Sequence, residues 1–385
     1  MNPIVTISGG GIIGNYISLR LNKNNIETII IERSPQFNDQ NKNIRTLTLN
    51  PFSKRLLDDI GIKLPLAEIK NINVFDGDGS GKINFCANEV NEENLSYVAF
   101  FDDLQAELQK EEQTKTFFGT QIEKINSDDS SGLSEIHLSN NDMIKTKFIA
   151  GCDGRKSRVA KLASLDEIEG NYNQTAITFT VKCTLSEKDI AYQIFSEKGI
   201  FAIMPVASNE QGSTHTVVWS VDDKRLGELD TKAYIDENIS YFEQKLVSDI
   251  KINSEILSFK LFNHHFENYI SGSTVLIGDA AHSIHPLAGQ GINLGFADAD
   301  AFCEEIIKGY ENSINIDQRL VLKKYEIRRK NMNLLMLKSM DFFVNIFRSN
   351  NLFLKLLRNI GLSSVDKNKF LKRFFINHAS GKNKI

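Results

Sequence analysis

No run of about 18 apolar residues free of charge occurs in the chain, so nothing in it reads as a helix that crosses a membrane. Cysteine is scarce: Cys86, Cys152, Cys183 and Cys303 stand apart, with no Cys-x-x-Cys pair. They read as reduced thiols, mostly buried, in a cytosolic protein. Met1-Asn2-Pro3 leads directly into a strand pattern, so no secretory signal is expected. His264 and His265 have no Asp, Glu or Cys cluster at ligand spacing, and no metal site is expected from them. There are no internal repeats and no low-complexity linker.

What remains is an ordinary globular composition of 385 residues, 41% hydrophobic and 24% charged, enough for one large domain or two intimate ones. The net charge of −4 is unevenly spread. Residues 323–385 hold 15 Lys/Arg against Glu326, Asp341 and Asp366, a local +12 that leaves −16 on the rest. That asymmetry points to a negatively charged partner for the C-terminal region, and no nucleic-acid partner is expected.

The stretch from Thr274 to Asp298 organises the chain. Thr274 to Ile277 suits a covered parallel strand, being short, apolar and rich in β-branched residues. Gly278-Asp279 then sets a carboxylate at the carboxyl end of that strand, where open α/β sheets bind ligands. Gly289, Gly291 and Gly295 follow, in a segment reading as helix through Ile307; glycines at a helix entrance let backbone N–H groups approach a planar or anionic ligand. By itself the stretch also reads as a plain strand, turn and helix with Asp279 as a cap.

A second landmark lies at the other end. Ile4 to Ile7 reads as a strand, Gly9-Gly10-Gly11-Ile12-Ile13-Gly14 follows at once, and Ile13, Ile17 and Leu21 recur at helical spacing. Thr28 to Ile31 forms a second strand ending at Glu32-Arg33, with the acid 21 residues beyond Gly11. G-x-G-x-x-G in this context is a dinucleotide site: Gly9 permits the turn, Gly11 admits the pyrophosphate, and Gly14 lets helix and strand pack. Glu32 is placed to accept hydrogen bonds from a ribose.

Arg45-Thr46-Leu47-Thr48-Leu49 precedes a helix around Ser53 to Ile60, and residues 72–100 alternate apolar and polar as strands of a second layer. Leu104-Gln105 begins a helix, and Phe148 to Ser157 reads as strand, then Asp153-Gly154 turn. From Thr175 to Val221 several short strands suggest an antiparallel sheet inserted between halves of the nucleotide domain. Tyr192, Phe195, Met204 and Trp219 are candidates for an aromatic pocket or for plain core. Asp230 to Ile250 reads as an amphipathic helix, and the chain beyond Ala301 is helical and increasingly basic.

The three motifs together, with His285-Pro286-x-x-Gly289-Gln290-Gly291-x-Asn293-x-Gly295, closely resemble the class A flavoprotein monooxygenases. The last segment is most similar to their ubiquinone-biosynthesis hydroxylases. The resemblance implies a Rossmann-like FAD-binding domain of the para-hydroxybenzoate hydroxylase type, with an inserted antiparallel substrate domain and a C-terminal helical region. The boundaries it implies are 1–71, 101–172 and 266–322 for the FAD-binding parts, 72–100 and 173–265 for the substrate domain, and 323–385 for the basic helices. It implies that Asp279 meets the ribityl chain of FAD and that the backbone around Gly291, Ile292 and Asn293 faces the isoalloxazine. It adds Arg45 on the diphosphate and Glu32, Arg33, Gln105 and Asp153 as further FAD contacts. Pro286 and, from the strand pattern, Tyr192, Met204 and Trp219 are the expected substrate contacts. The family arginine three residues after the Asp-Gly serine is Ala160 here, so Arg155 or Arg158 is expected to supply that charge toward NAD(P)H.

The activity implied is hydroxylation of a polyprenylphenol ubiquinone precursor, with NAD(P)H reducing FAD and O2 adding to it as a hydroperoxide. Hydroxylation of a small soluble phenol and reduction without oxygen activation stay open as alternatives. No general base is identified, His282 and His285 reading first as hydrogen-bonded structure. The expected location is the cytoplasm, peripheral on the inner membrane or in a ubiquinone-biosynthesis complex through residues 323–385.

Overall fold

Every residue of the first two strands, β1 (Val5–Ser8) and β2 (Thr28–Ile31), is buried, and the glycine loop between them feeds α1 (Ile12–Asn22). The computed structural model describes residues 2–348 except 36–43, 78, 112–113, 129–131, 186, 208–211, 286–289 and 313–317, together with Arg373. The chain continues through β3 (Thr46–Leu49) into α2 (Pro51–Asp59). Asn50 caps α2 by accepting from the Ser53 N–H, and Pro51 fits the first helical turn, where an N–H has no partner to lose. Next come β4 (Ala67–Ile69), β5 (Asn71–Asp76), β6 (Lys82–Cys86), β7 (Ser96–Phe100) and α3 (Phe101–Glu111). A run of short strands follows: β8 (Thr116–Phe117), β9 (Ile122–Asp128), β10 (Leu133–Leu138), β11 (Met143–Thr146) and β12 (Phe148–Gly151), before α4 (Arg158–Leu162). The inserted part holds β13 (Glu167–Cys183), β14 (Ile190–Ser196), β15 (Gly199–Pro205), β16 (His215–Asp222), α5 (Asp223–Leu226), α6 (Thr231–Leu246), β17 (Ile250–Ile252) and β18 (Leu257–Phe266). Last are β19 (Ile270–Ser271), β20 (Thr274–Leu276), β21 (His282–Ser283) and two long helices, α7 (Gln290–Asn312) and α8 (Gln318–Arg348).

Six strands in the order β19-β20-β12-β1-β2-β8 form the nucleotide-binding sheet, with β1 central and parallel to both neighbours. The switch point lies at β1, whose carboxyl end meets those of β12 and β2; this is where doubly wound sheets open a crevice. A core of Ile7, Ile17, Phe148, Val275, Phe296 and Phe302 fills the space between this sheet and α1 and α7.

The second large sheet has nine strands, in the order β21-β18-β13-β16-β15-β14-β5-β6 with β17 also on β13. One of its faces is closed by α6, whose Tyr234, Ile235 and Phe242 pack on Ile177, Phe179, Phe201 and Trp219. The other face looks toward the six-stranded sheet. It is partly roofed by a small sheet, β3-β7-β4, with Val98 and Ile69 packed on Ala191 and Met204. The 72–100 segment is thus divided: β5 and β6 join the large sheet as expected of a second layer, whereas Ser96–Phe100 pairs with β3 and β4. Alternation identified the strands, but pairing depends on what lies beside them.

Candidate active site

One cavity of about 1090 Å³ runs between the two sheets without interruption. At one end it is lined by the glycine loop with Glu32 and Arg33, in the middle by Arg45, Asp153, Asp279, Gly291 and Ile292, and at the far end by Thr178, Ala202, Met204 and Val218. The glycine loop explains its own composition. Gly9 has φ +108°, and a Cβ there would sit 2.4 Å from the Cys152 carbonyl oxygen; a Cβ on Gly14 would sit 1.9 Å from the Gly9 oxygen. Gly11 and Gly291, by contrast, have nothing within 4 Å of a Cβ position. Their backbones are bare toward the cavity, which leaves the room that a diphosphate and a planar ring need, and the residues present fit a flavin dinucleotide.

The loop is held from below. Glu32 accepts from the Gly10 N–H (Oε2, 2.6 Å) and the Ser34 N–H (Oε1, 2.7 Å), and the Gly10 carbonyl accepts from Asn15 Nδ2 (2.7 Å) and Gln105 Nε2 (2.8 Å). Gln105 is therefore buried against the loop rather than lying along the cavity, in the second turn of a helix that starts at Phe101. Arg45 stands exposed at the cavity edge with its guanidinium 4.4 Å over the Phe101 ring. Asp153 accepts from Ser157 Oγ (2.6 Å) and from the Arg158 and Val159 N–H groups, which ties its carboxylate to the start of α4; burial raises its pKa against those hydrogen bonds. Arg158 Nε donates to the Ile122 carbonyl, while Arg155 lies 3.8 Å over the Phe262 ring; both border the cavity.

Gly278-Asp279 follows β20, with Gly278 at φ +61°. Asp279 is exposed to the cavity, and its own carbonyl meets His264 Nε2 (2.9 Å), whose Nδ1 faces Glu167 Oε1 (2.6 Å). Behind this turn lies a polar centre that the sequence reading did not find. The Asp298 carboxylate, fully buried, accepts from His282 Nε2 (2.5 Å), the Gly278 N–H (3.2 Å), Arg329 Nε (2.7 Å) and Asn333 Nδ2 (2.9 Å). Burial alone pushes its pKa up, but His282 and Arg329 beside it prevail and hold the carboxyl well below the usual range. A helix-face aspartate followed 31 residues later by an arginine leaves no local signal in a sequence. His282 donates to Asp298, and His285, which borders the cavity, pairs Nε2 with Gln174 Oε1 (2.8 Å). Burial pushes the His285 pKa down to about 3, so it stays neutral.

Of the expected substrate contacts, Trp219 falls elsewhere. Trp219 is fully buried on the α6 face, donating Nε1–H to the Lys198 carbonyl (2.8 Å). It pairs with Phe201 and Ile177 across the sheet, so it shares their face, opposite to Val218 and Ser220. Tyr192 has the same parity: it borders the cavity, but its ring stacks on Phe75 (centroids 6.4 Å apart). The Asn293 amide is saturated by backbone, accepting from the Asn50 N–H (2.9 Å) and donating to the Thr48 carbonyl (2.8 Å), which staples α7 to β3. Met204 does line the cavity, beside Thr48. Pro286 lies outside the described residues.

A dinucleotide cradle opening onto an apolar sheet is the arrangement of an FAD-dependent aromatic-ring monooxygenase, and the family match and relatives that follow place the chain in that class. The chain belongs to the FAD binding domain family, whose profile matches residues 3–336. It is 27% identical over 395 residues to the 3-demethoxyubiquinol 3-hydroxylase of Escherichia coli K12, with 98% of each chain covered. It is 26% identical to the mitochondrial ubiquinone biosynthesis monooxygenase COQ6 of Dictyostelium discoideum, covering 98% of this chain and 91% of that one. In fold it is similar to p-nitrophenol 4-monooxygenase PnpA from Pseudomonas putida DLL-E4 (TM-score 0.77, 16% identity, 98% of each chain). It is likewise similar to PqsL from Pseudomonas aeruginosa (TM-score 0.78, 16% identity, 94% of this chain and all of that one).

Proposed function

We propose that this enzyme hydroxylates the aromatic ring of a polyprenylated phenol, a ubiquinone precursor, using NAD(P)H and O2. The observation that carries the reading is the continuity of the cavity from Glu32 to the apolar face of β13, β15 and β16. A ring bound on that face lies against the flavin end with water largely excluded, which protects a reactive oxygen donor from hydrolysis. The names of the two relatives covered over nearly their whole length support a quinone-pathway substrate.

FAD, when bound, supplies the redox and oxygen chemistry, and the protein supplies position and electrostatics. Glu32 and Arg33 take the adenosine end, the Gly11 backbone and Arg45 take the diphosphate, and Asp279 accepts from the ribityl hydroxyls. The Gly291–Ile292 backbone begins α7, whose dipole favours negative charge on a reduced ring. Asn293 holds that helix entrance against β3. Arg155 and Arg158, at the cavity edge, are the candidates for the phosphates of a transient NAD(P)H; only one G-x-G-x-x-G exists, and it serves FAD.

The test is oxygen uptake by purified, FAD-loaded protein, measured with NADH or NADPH and a short-chain prenylphenol. Uptake matched by hydroxylated product is expected. Flavin reduction followed by saturation of a prenyl chain, with no oxygen incorporated, would replace this reading with that of a reductase. Faster, tightly coupled turnover of an unprenylated phenol would favour a soluble substrate.

A further inference from the structure

A ring that carries a long isoprenoid chain sets the cavity a problem of room. Its volume of about 1090 Å³ has to hold a flavin dinucleotide as well as the ring, so the chain has to leave. Of the exposed residues that line the cavity, Phe259 alone is apolar among those described, at 44% exposure. The others, such as Arg45, Lys156, Arg158 and Lys260, are polar or charged.

Phe259 lies on β18, with Leu261 and Leu257 on the same face two residues to either side. Leu261 is buried, lines the cavity, and packs with Phe195, Ile200 and Ala176. It pairs with Gln174, the residue that meets His285 just before α7. Leu257, at the outer end, is 36% exposed. One apolar face thus passes from the interior to the surface over about 13 Å of strand. Here β18 has β13 on one side; its other described strand neighbour, β21, reaches only His264 and His265. Exposed apolar side chains on such a free edge invite pairing with other chains, and folds normally place polar groups there. Ser258 and Lys260, on the opposite face, follow that rule, with Lys260 paired to Asp223 (3.0 Å). Leu257 and Phe259 break it, on the face that leads into the cavity.

We propose that Leu261, Phe259 and Leu257 form the exit along which the isoprenoid chain of the substrate leaves the cavity, while the ring stays at the flavin end. The inference rests on the polyprenylphenol reading and deepens it by placing the chain. Apolar contact is non-directional, so such a face suits a flexible branched hydrocarbon, and each unit laid on it leaves water. A charged rim elsewhere gives a hydrocarbon no such gain.

The experiment uses the FAD holoenzyme without NAD(P)H, so that ligands bind but do not turn over, and reads dissociation constants from the change in flavin absorbance. The probes are phenols bearing one, two or three five-carbon isoprenyl units. Wild type is expected to bind about tenfold more tightly for each added unit, as when a few methylenes leave water. The double variant Leu257→Ser, Phe259→Ser changes exposed positions only. It is expected to lose about tenfold or more on the three-unit phenol and nothing on the one-unit phenol, whereas Phe259→Leu keeps the gradient. Leu229→Ser, an exposed leucine between α5 and α6 outside the cavity lining, is expected to behave as wild type. An undiminished gradient in the double variant, or an equal loss in Leu229→Ser, would overturn the exit. Flavin reduction by NAD(P)H is expected to be unchanged in the double variant. Slower reduction with the gradient intact would give the surface to the nicotinamide instead. The two readings fail on different proteins: a wild type indifferent to chain length removes the prenylated substrate, and a double variant that keeps the wild-type gradient removes only the exit.

Discussion

At the scale of single residues, charge and burial sort the site into groups that face the cavity and groups that hold the others in place. Asp279 is exposed to the cavity with its side chain uncommitted to the backbone around it, unlike Asp153, whose carboxylate caps α4. Asp279→Ala is expected to weaken FAD retention by about 1.5–3 kcal/mol, the range for a hydrogen bond to a charged acceptor. Fluorescence titration of apoprotein with FAD measures it, and an unchanged affinity would remove Asp279 from the flavin site. Asp298 is the reverse case, a charge that never meets ligand. Asp298→Ala leaves buried His282 without its hydrogen-bond acceptor and half-buried Arg329 without its carboxylate, and is expected to cost about 3–5 kcal/mol in denaturant unfolding. Its folded pKa is depressed, so its contribution is present above the unfolded value of about 3.9 and disappears as pH falls below it. Stability lost at milder acidity has another source. Burial lowers His215 to about 4 and His285 to about 3, against about 6.5 in the unfolded chain. Both are neutral when folded and take up protons only on unfolding as pH drops from about 6.5, so each steepens the decline by at most about 1.4 kcal/mol per pH unit. His215→Gln should flatten the pH dependence of the melting temperature between pH 6.5 and 4.5; an unchanged slope would show that the imidazole is already charged in the fold.

At the scale of elements, what was legible in the sequence was local. The β1–loop–α1–β2 unit can be read from the apolar runs and three glycines, because its geometry is set by residues a few positions apart. The Gly278-Asp279 turn and the helix after it were readable for the same reason. Trp219 was not, although its strand was: alternation gives two faces but not which one meets α6 and which meets the cavity. The destination of β7, the amides of Gln105 and Asn293, and the Asp298 centre all depend on partners 16 to 245 residues distant, and no period in the sequence encodes them. The C-terminal helix is the clearest case. Read as core or interface beside a basic surface, α8 turns out to supply Arg329 and Asn333 to the turn behind Asp279. Farther along, Asp341 accepts from Tyr172 Oη (2.8 Å), the hydroxyl that also receives the His285 N–H (3.2 Å).

At the scale of the whole molecule, the polar distribution bears on where the enzyme works. No described helix is long and apolar enough to cross a membrane. A precursor with an isoprenoid tail partitions into lipid, so an approach to a surface has to come from elsewhere, and the +12 of residues 323–385 offers it. Near an anionic surface each Lys or Arg contributes about 1 kcal/mol, shortened by salt. Most of that region lies outside the described residues; Arg373 donates to the Glu89 carbonyl (2.8 Å). Co-sedimentation is expected with anionic but not neutral vesicles, and to be lost at high salt or on neutralising Lys367, Lys369, Lys372 and Arg373. Equal amounts of wild type and variant left in the supernatant would assign those charges to ordinary solvation.

The long strand β13 has a last consequence. Its first five residues pair with β18 alone, a bulge falls between Asn171 and Gln174, Gln174 to Thr178 lie between β18 and β16, and its end pairs with β17. Through β18 the same sheet reaches β21, which lies between Asp279 and the helix entrance. The nine-stranded sheet is thereby tied to the Gly278-Asp279 turn, into which β20 of the six-stranded sheet leads, so the two sheets are expected to unfold together. Calorimetry should therefore show one endotherm with matching calorimetric and van't Hoff enthalpies. Limited proteolysis should release no substrate-binding fragment that survives on its own, and exchange of β13 amides should occur only through global opening.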